Sequence, residues 1–425
     1  MKQTKITVLC LSASLSILLA ACGGGGGSGG GTAATPPATT TPSAAGSVSP
    51  LQSGSSYVGT VGFGDTIRVD LDQPAAGQLT LTFVKSQFGL AGQVSGSYQN
   101  NNGQISVTNL SAGSGSTLSA AQATALALSL SLSKDADGTG LLSGALSNVP
   151  NLLGGGGLLQ GQLALTNNGV ASLAQLAGTY SLVSLSGDYS NQGVPVGSQE
   201  PEAGQVKINA DGSARLCFGQ AYADTCTNID TSTGAALTDT ATFSADPDQT
   251  NYPGAFDLAS GGQTIGRAFV TRQGGNTTLF VDRFGFAPEG NPRTGSMVLT
   301  STRALQSGDY NGQWVCTEPD TTVGNVLTGK ADVIRSTISG AQMASLDGQS
   351  SQTLNYNAAF DLDAAARSSA DPVIVQGVDG LIAAQFQLQQ GKETTLLLPV
   401  NSTTMYWLDE PNGSGFFVMG FCNKS

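Results

Sequence analysis

Carboxylates are the side chains in this sequence that could do chemistry. Histidine is absent from all 425 residues, which removes Ser-His-Asp and Cys-His catalysis, His-ligated metals and axial-His haem. Hydrolysis would have to run through two Asp or Glu at a fixed separation, the arrangement that cleaves glycosidic bonds. Glu200, Glu202, Asp257, Asp282, Asp361, Asp409 and Glu410 are the candidates. Asp257 and Asp361 stand at matching places in two similar segments, but a structural hydrogen bond repeated in both is the commoner origin of such a match. No catalytic residue is assigned. Lys134-Asp135-Ala136-Asp137-Gly138 holds a fragment of a calcium loop, without the third oxygen ligand before the glycine or the later Glu. It and Asp246-Pro247-Asp248 read as β-turns. No metal and no cofactor are expected.

Aromatic side chains offer a second kind of chemistry, recognition. Tyr406-Trp407 and Phe416-Phe417 are adjacent pairs. Neighbours on a strand point to opposite faces, so one of each pair should pack inward and the other could be exposed. Exposed aromatics serve as interfaces and sugar platforms, which makes these four the candidate binding residues. A core residue beside one packed on a neighbouring domain is the structural alternative.

Strands have to position these groups. Only 11% of residues are charged and 6% aromatic, while Gly reaches 58. Few Lys and Glu with many Gly, Ser, Thr, Val and Leu disfavour long helices and favour short strands and tight turns. Thr66-Ile67-Arg68-Val69-Asp70-Leu71 alternates strictly, the period of a half-buried strand. Asn209-Ala210-Asp211-Gly212 between Val206/Ile208 and Ala214/Leu216/Phe218 is a hairpin signal, and Asn412-Gly413 separates two further runs. Leu152 to Leu163, with Gly154 to Gly157, reads as a glycine-rich loop or a loose hairpin.

Two segments recur. Asn251-Tyr252-Pro253-Gly254-Ala255-Phe256-Asp257-Leu258 reappears as Asn355-Tyr356-Asn357-Ala358-Ala359-Phe360-Asp361-Leu362, and Phe269 to Val281 aligns without gaps to Phe386 to Leu398. The second copy is longer between these blocks, with the extra residues expected within Ala364 to Gly380. Repeats of this size are domains. The expected organisation is an N-terminal β domain over 55–172, repeat copy 1 over 173–305 and repeat copy 2 over 306–425. The fold class is all-β: antiparallel sandwiches or small closed barrels, since closure removes sticky edges. A copy opening on Gly-x-Tyr and running through about eight strands resembles lipocalin-like barrels. Each copy is expected to fold alone.

The start of the chain says where it goes. Lys2 and Lys5 precede an apolar run, Ile6 to Ala20, that ends in small residues. This is the order of a secretory signal, and the run is short for a membrane span. Leu19-Ala20-Ala21-Cys22 resembles the lipobox of bacterial lipoproteins, with Leu at minus three, small residues at minus two and minus one, and the cysteine. The resemblance implies diacylation of the Cys22 thiol, cleavage before it, and acylation of the new amino terminus. Residues 1–21 are then a type II signal peptide and 22–54 a lipidated cysteine with a tether, Gly first and then Thr, Pro, Ala and Ser. Roughly 30 residues of such chain reach about 30 Å. A Gly run directly after the cysteine resembles surface-displayed lipoproteins of Gram-negative bacteria. Gly23 rather than Asp after Cys22 implies the outer membrane. After the signal no apolar run approaches the roughly 20 residues of a spanning helix, so the lipid is expected as the anchor.

Export agrees with the cysteines. Setting aside Cys10 and Cys22 leaves Cys217, Cys226, Cys316 and Cys422, an even number that reads as two disulfides with three possible connectivities. No two lie at metal-ligand spacing. Cys217 should point outward beside inward-facing Leu216 and Phe218, where Cys226 on a returning segment meets it. Cys316 and Cys422 near the two ends of one copy would fasten its first and last strands. The expected pairs are Cys217–Cys226 and Cys316–Cys422.

Acidic residues outnumber basic ones 29 to 17, a formal net charge of −12, which repels nucleic acid and anionic headgroups. The function expected is a non-enzymatic outer-membrane lipoprotein, on the periplasmic face or the cell surface, that builds envelope structure or binds a protein or glycan. The alternative is a carboxylate-dependent glycan hydrolase.

Overall fold

The computed structural model describes residues 56–425 apart from 73–75, 135–139, 168–171, 231–232, 274, 288, 322–326, 347–349, 363–370, 389–390 and 412–414. The lipobox with Cys22, the tether, the Asp135–Gly138 part of the acidic turn and the Asn412-Gly413 turn lie outside the described residues, as does part of the extra segment of copy 2.

Three up-and-down antiparallel barrels of eight strands follow one another. The N-terminal barrel comprises β1 (Ser56–Val61), β2 (Asp65–Leu71), β3 (Ala76–Lys85), β4 (Gly92–Asn101), β5 (Gln104–Ala112), β6 (Ala127–Lys134), β7 (Gly140–Pro150) and β8 (Leu158–Thr166), with β1 closing on β8. One short helix, α1 (Ala120–Ala125), precedes β6 and is started by a Ser119/Gln122 capping box. The middle barrel begins with β9 (Gly178–Tyr189), β10 (Pro195–Ile208) and β11 (Ser213–Phe218). A small sheet of β12 (Asn228–Ile229) and β13 (Ala236–Leu237) interrupts it. It resumes with β14 (Asp239–Ala245), β15 (Phe256–Ser260), β16 (Gln263–Gln273), β17 (Asn276–Phe286) and β18 (Pro292–Ser301), which closes on β9. The C-terminal barrel runs through β19 (Gly312–Thr321), β20 (Leu327–Ser339), β21 (Gln342–Ser345) and β22 (Ser351–Tyr356). A two-stranded strap of β23 (Ala358–Phe360) and β24 (Ile374–Gln376) stands outside its wall. β25 (Ile382–Leu388), β26 (Gly391–Pro399), β27 (Thr404–Asp409) and β28 (Val418–Lys424) complete it, with β28 pairing β19.

The period-two pattern decides which residues fill each interior. On β2, Ile67, Val69 and Leu71 enter the N-terminal core, as the alternation predicts. The stretch Leu152 to Leu163 is the connection and second arm of a hairpin: Gly154 to Gly157 lie between β7 and β8, and Leu158–Thr166 is the strand that closes this barrel. In the middle barrel Val206, Ile208 and Ala214 point in, and Leu216 and Phe218 pack at the edge of the same core. Cys217 lies on the opposite face, bonded to Cys226. Cys316 and Cys422 sit directly opposite each other on β19 and β28, inside the C-terminal core, and their disulfide fastens the closing seam.

Both copies are barrels, but the matched segments are used differently. Phe256 sits in the middle-barrel core on β15, whereas its counterpart Phe360 is on the strap. Asp257 faces out from the barrel wall and Asp361 follows the strap strand. Asp257 and Asp361 therefore do not take equivalent places.

The outer walls also carry apolar rows, and these meet. Leu141, Ala145 and Ala164 of the first barrel, Val183, Ala203, Phe280 and Val298 of the second, and Ala383, Leu396, Leu398, Tyr406 and Phe421 of the third form one buried cluster, joined by Phe360 of the strap. Each barrel thus has its own filled interior and shares a second core with its neighbours. A strand apolar on both faces is a strand covered on both faces. Polar clamps frame this core. Gln273 of the middle barrel donates to Ser133 of the first (3.1 Å) and accepts from Asn401 of the third (3.1 Å). Gln199 exchanges two hydrogen bonds with the backbone of Phe417.

Candidate functional site

The carboxylates expected from sequence are dispersed: Asp361 follows the strap strand, and the others fall in three settings. Glu200 and Asp188 both pair with Arg293, and Glu202 lies 3.6 Å from Arg283, on the inward-facing rows of the middle barrel beyond its apolar core. Asp409 and Glu410 belong to the C-terminal barrel. Asp409 continues the inward row of Met405 and Trp407, accepts a 2.6 Å bond from Thr395, and lies near Glu318. Burial raises its pKa well above the usual carboxylate value, with Glu318 and Glu393 adding to the effect. Burial likewise pushes Glu318 up to about 8. Glu410 accepts from the Gly415 amide.

Asp257 and Asp282 belong to the third setting, the seam between the first two barrels. Asp257, Arg267 and Asp282 are cross-strand neighbours on the outer faces of β15, β16 and β17. Asp246, at the end of β14, pairs with Arg267, and its other oxygen accepts from the Asp248 amide, so Asp246-Pro247-Asp248 is a turn. The first barrel covers this row. Thr66 donates to Asp282 (2.5 Å), and Lys85 sits 3.5 Å from the Phe284 ring centre. Arg267 stacks 3.3 Å from the centre of Tyr252. Thr294 donates to the carbonyl of Phe63 beside Gly64, whose positive φ and close approach leave no room for a side chain. Val58 and Val84 meet Tyr252, Ala255 and Phe269 alongside. Sequence reasoning missed Asp65, Lys85 and Arg267, and read Asp246 as a turn residue alone. The available signal was the outward row Phe280, Asp282 and Phe284, too apolar for a wall facing water.

Four acids (Asp65, Asp246, Asp257, Asp282) face two cations (Lys85, Arg267) at this seam, so it carries excess negative charge out of water. Burial pushes Asp65 up to about 8, against the pull of the Ser86 hydroxyl and Gln87 amide. Burial pushes Asp282 up to about 6, against Thr66 and Lys85. Burial, with Asp246 beside it, pushes Asp257 up to about 6. Burial and then Arg267 lower Lys85. Raised carboxyl values mean that the folded state binds more protons than the unfolded chain. Their stabilisation is present below about pH 4 and is lost as pH rises through 6 and 8. Lys85 acts in the opposite sense on the alkaline side. The unfolding midpoint should therefore be higher at pH 5 than at pH 8, and Asp65→Asn, which cannot ionise, should flatten the dependence. A midpoint equal or higher at pH 8, or an unchanged slope in Asp65→Asn, would refute this account of the seam.

The aromatic pairs are not a surface platform. Trp407 points into the C-terminal core. Tyr406 and Phe417 lie in the shared core, where the Tyr406 ring is 5.6 Å from Phe280. Phe416 is half-buried. For Tyr406-Trp407 the cause is simple: alternation turned Trp407 inward and the neighbouring barrel covered Tyr406.

A groove of about 600 Å³ lies on the middle barrel. Its floor is the outward row Ser213–Thr242–Ala259, directly paired across β11, β14 and β15, with Arg215 opposite Thr240. Its wall is the segment between Phe218 and Asn228, pinned by Cys217–Cys226, by the Tyr222 amide to Gln205 (2.7 Å) and by Phe218 to Asn228 (2.8 Å). Tyr222 and Asp224 project from this wall, hydrogen-bonded to each other (2.5 Å). The Tyr222 hydroxyl, and then Lys207, hold Asp224 below the usual carboxylate range. The Cys-x8-Cys spacing was the sequence trace of this wall. Nothing in the pattern told which side chains would line it.

No family model matches the chain, and no curated protein matches it. A solved protein of unknown function from the DUF3598 family of Nostoc punctiforme PCC 73102 aligns with 60% of this chain and 100% of its own, at 11% identity and a TM-score of 0.20.

Proposed function

We propose that this is a lipid-anchored outer-membrane protein with a non-catalytic role, holding a three-barrel head on a Gly-, Thr-, Pro-, Ala- and Ser-rich tether to bind a ligand or build envelope structure. The observation that carries the reading is Leu19-Ala20-Ala21-Cys22 at the end of an apolar run, followed at once by Gly23 to Gly27. Support also comes from the head. Its barrel interiors are filled by their own side chains, which leaves outer surfaces for recognition. A glycan hydrolase would need two carboxylates opposed across an open cleft. The candidates lie instead in ion pairs, at a buried seam, beside the strap or in the C-terminal barrel. Cys22→Ala should accumulate as uncleaved precursor or as protein released from membranes. If that variant still fractionates with the outer membrane and is cut at the same bond, the anchor reading fails.

A further inference from the structure

We infer that the groove on β11, β14 and β15 of the middle barrel binds a neutral saccharide. The inference rests on the binding role proposed above and assigns it a place and a ligand class. Its volume, about 600 Å³, falls within the range of small-molecule sites. Thr240 and Thr242 present hydroxyls from the floor and Asp224 a carboxylate from the wall, while Asn209 and Ser213 line the turn end, where the Asn209 amide donates to the Ser213 hydroxyl (3.0 Å) and that hydroxyl donates to Asp211 (2.6 Å). Hydroxyls and amides donate and accept, and a carboxylate accepts only. That set suits a polyhydroxylated ligand, whose own hydroxyls do both.

Charge argues for neutrality. Lys207 lies 3.7 Å from Asp224 and 5.3 Å from the Tyr222 ring centre, and Arg215 donates to the Cys226 carbonyl. A charged ligand would have to break one of these pairings, whereas a neutral one leaves them in place. The wall is covalently held, so little ordering cost is left for the binding step. The Gly261-Gly262 turn forms the opposite rim without side chains, and open space lies where they would stand.

The test uses the full lipidated chain in detergent on an array of neutral and acidic oligosaccharides, followed by calorimetric titration of the best neutral one. Thr242→Trp should fill the groove from an exposed strand position, and Asp224→Ala should remove its charged acceptor. Each should weaken binding about tenfold or more, with the unfolding midpoint little changed. Failure to retain any neutral glycan, a preference for acidic ones, or an affinity unchanged from the unsubstituted protein in either variant would overturn the inference. Membrane fractionation of Cys22→Ala judges the anchor separately. Cleavage of the retained glycan would overturn the non-catalytic role, and this assignment with it.

Discussion

Replacing Cys316 and Cys422 together by Ala is expected to destabilise the protein by about 4–5 kcal/mol in the chain-entropy model. The bridge spans a sequence separation of 106 and joins β19 to β28, the first and last strands of the C-terminal barrel. Without it, the unfolded chain regains the freedom of a long loop. The comparison is the short bridge, Cys217–Cys226, with a separation of 9; the same model gives about 2.5–3 kcal/mol for its loss. Position reinforces loop length. Both cysteines of the long bridge lie inside the barrel core, so the Ala pair also leaves space beside Trp314 and Trp407. Thermal melts of the two double variants decide the matter. The long-bridge variant should melt several degrees lower. Equal shifts would mean that the seam is held by its hydrogen bonds and packing rather than by the sulfur link.

Phe280→Ala carries the second large effect, about 3–5 kcal/mol, the range for removing a buried aromatic. Phe280 is 1% exposed yet faces out of its own barrel, into the core shared by all three. Its loss should separate the barrels rather than empty one. Leu279→Ala next to it is the control: Leu279 points into the middle barrel and is equally buried. Hydrogen exchange should show Phe280→Ala raising exchange in strands of the other two barrels, β8 and β27 among them. Leu279→Ala should act first within β9 to β18. One sharp transition with unchanged exchange in the flanking barrels would show that the shared core does not couple them. Cut from its neighbours, the middle barrel would expose Val183, Phe280 and Val298, which bears on how well copy 1 folds alone.

Strand periodicity made the class of fold legible, because alternation is a local property of each strand. Thr66 to Leu71 and the Asn209–Gly212 hairpin are where the pattern places them. The repeat was legible as letters, but the strap shows its limit: a short apolar run such as Ala358–Phe360 can line a barrel or lie on its outside. The groove was not legible, since its floor joins polar residues of three strands that look like any solvated face.

By itself the sequence determined the β class, the acidic and charge-poor surface chemistry, the lack of histidine catalysis, and a cysteine set that pairs as two bridges. These depend on composition, on spacing along the chain, and on the two-residue period that tells inside from outside of a single barrel. Only the tertiary structure decided what covers the outside. Thr66, Asp282, Phe280 and Tyr406 all point away from their own barrels and are nonetheless buried. The physical reason is that alternation encodes a side chain's direction relative to its own sheet. Whether water or another barrel lies in that direction depends on how three curved surfaces fit together.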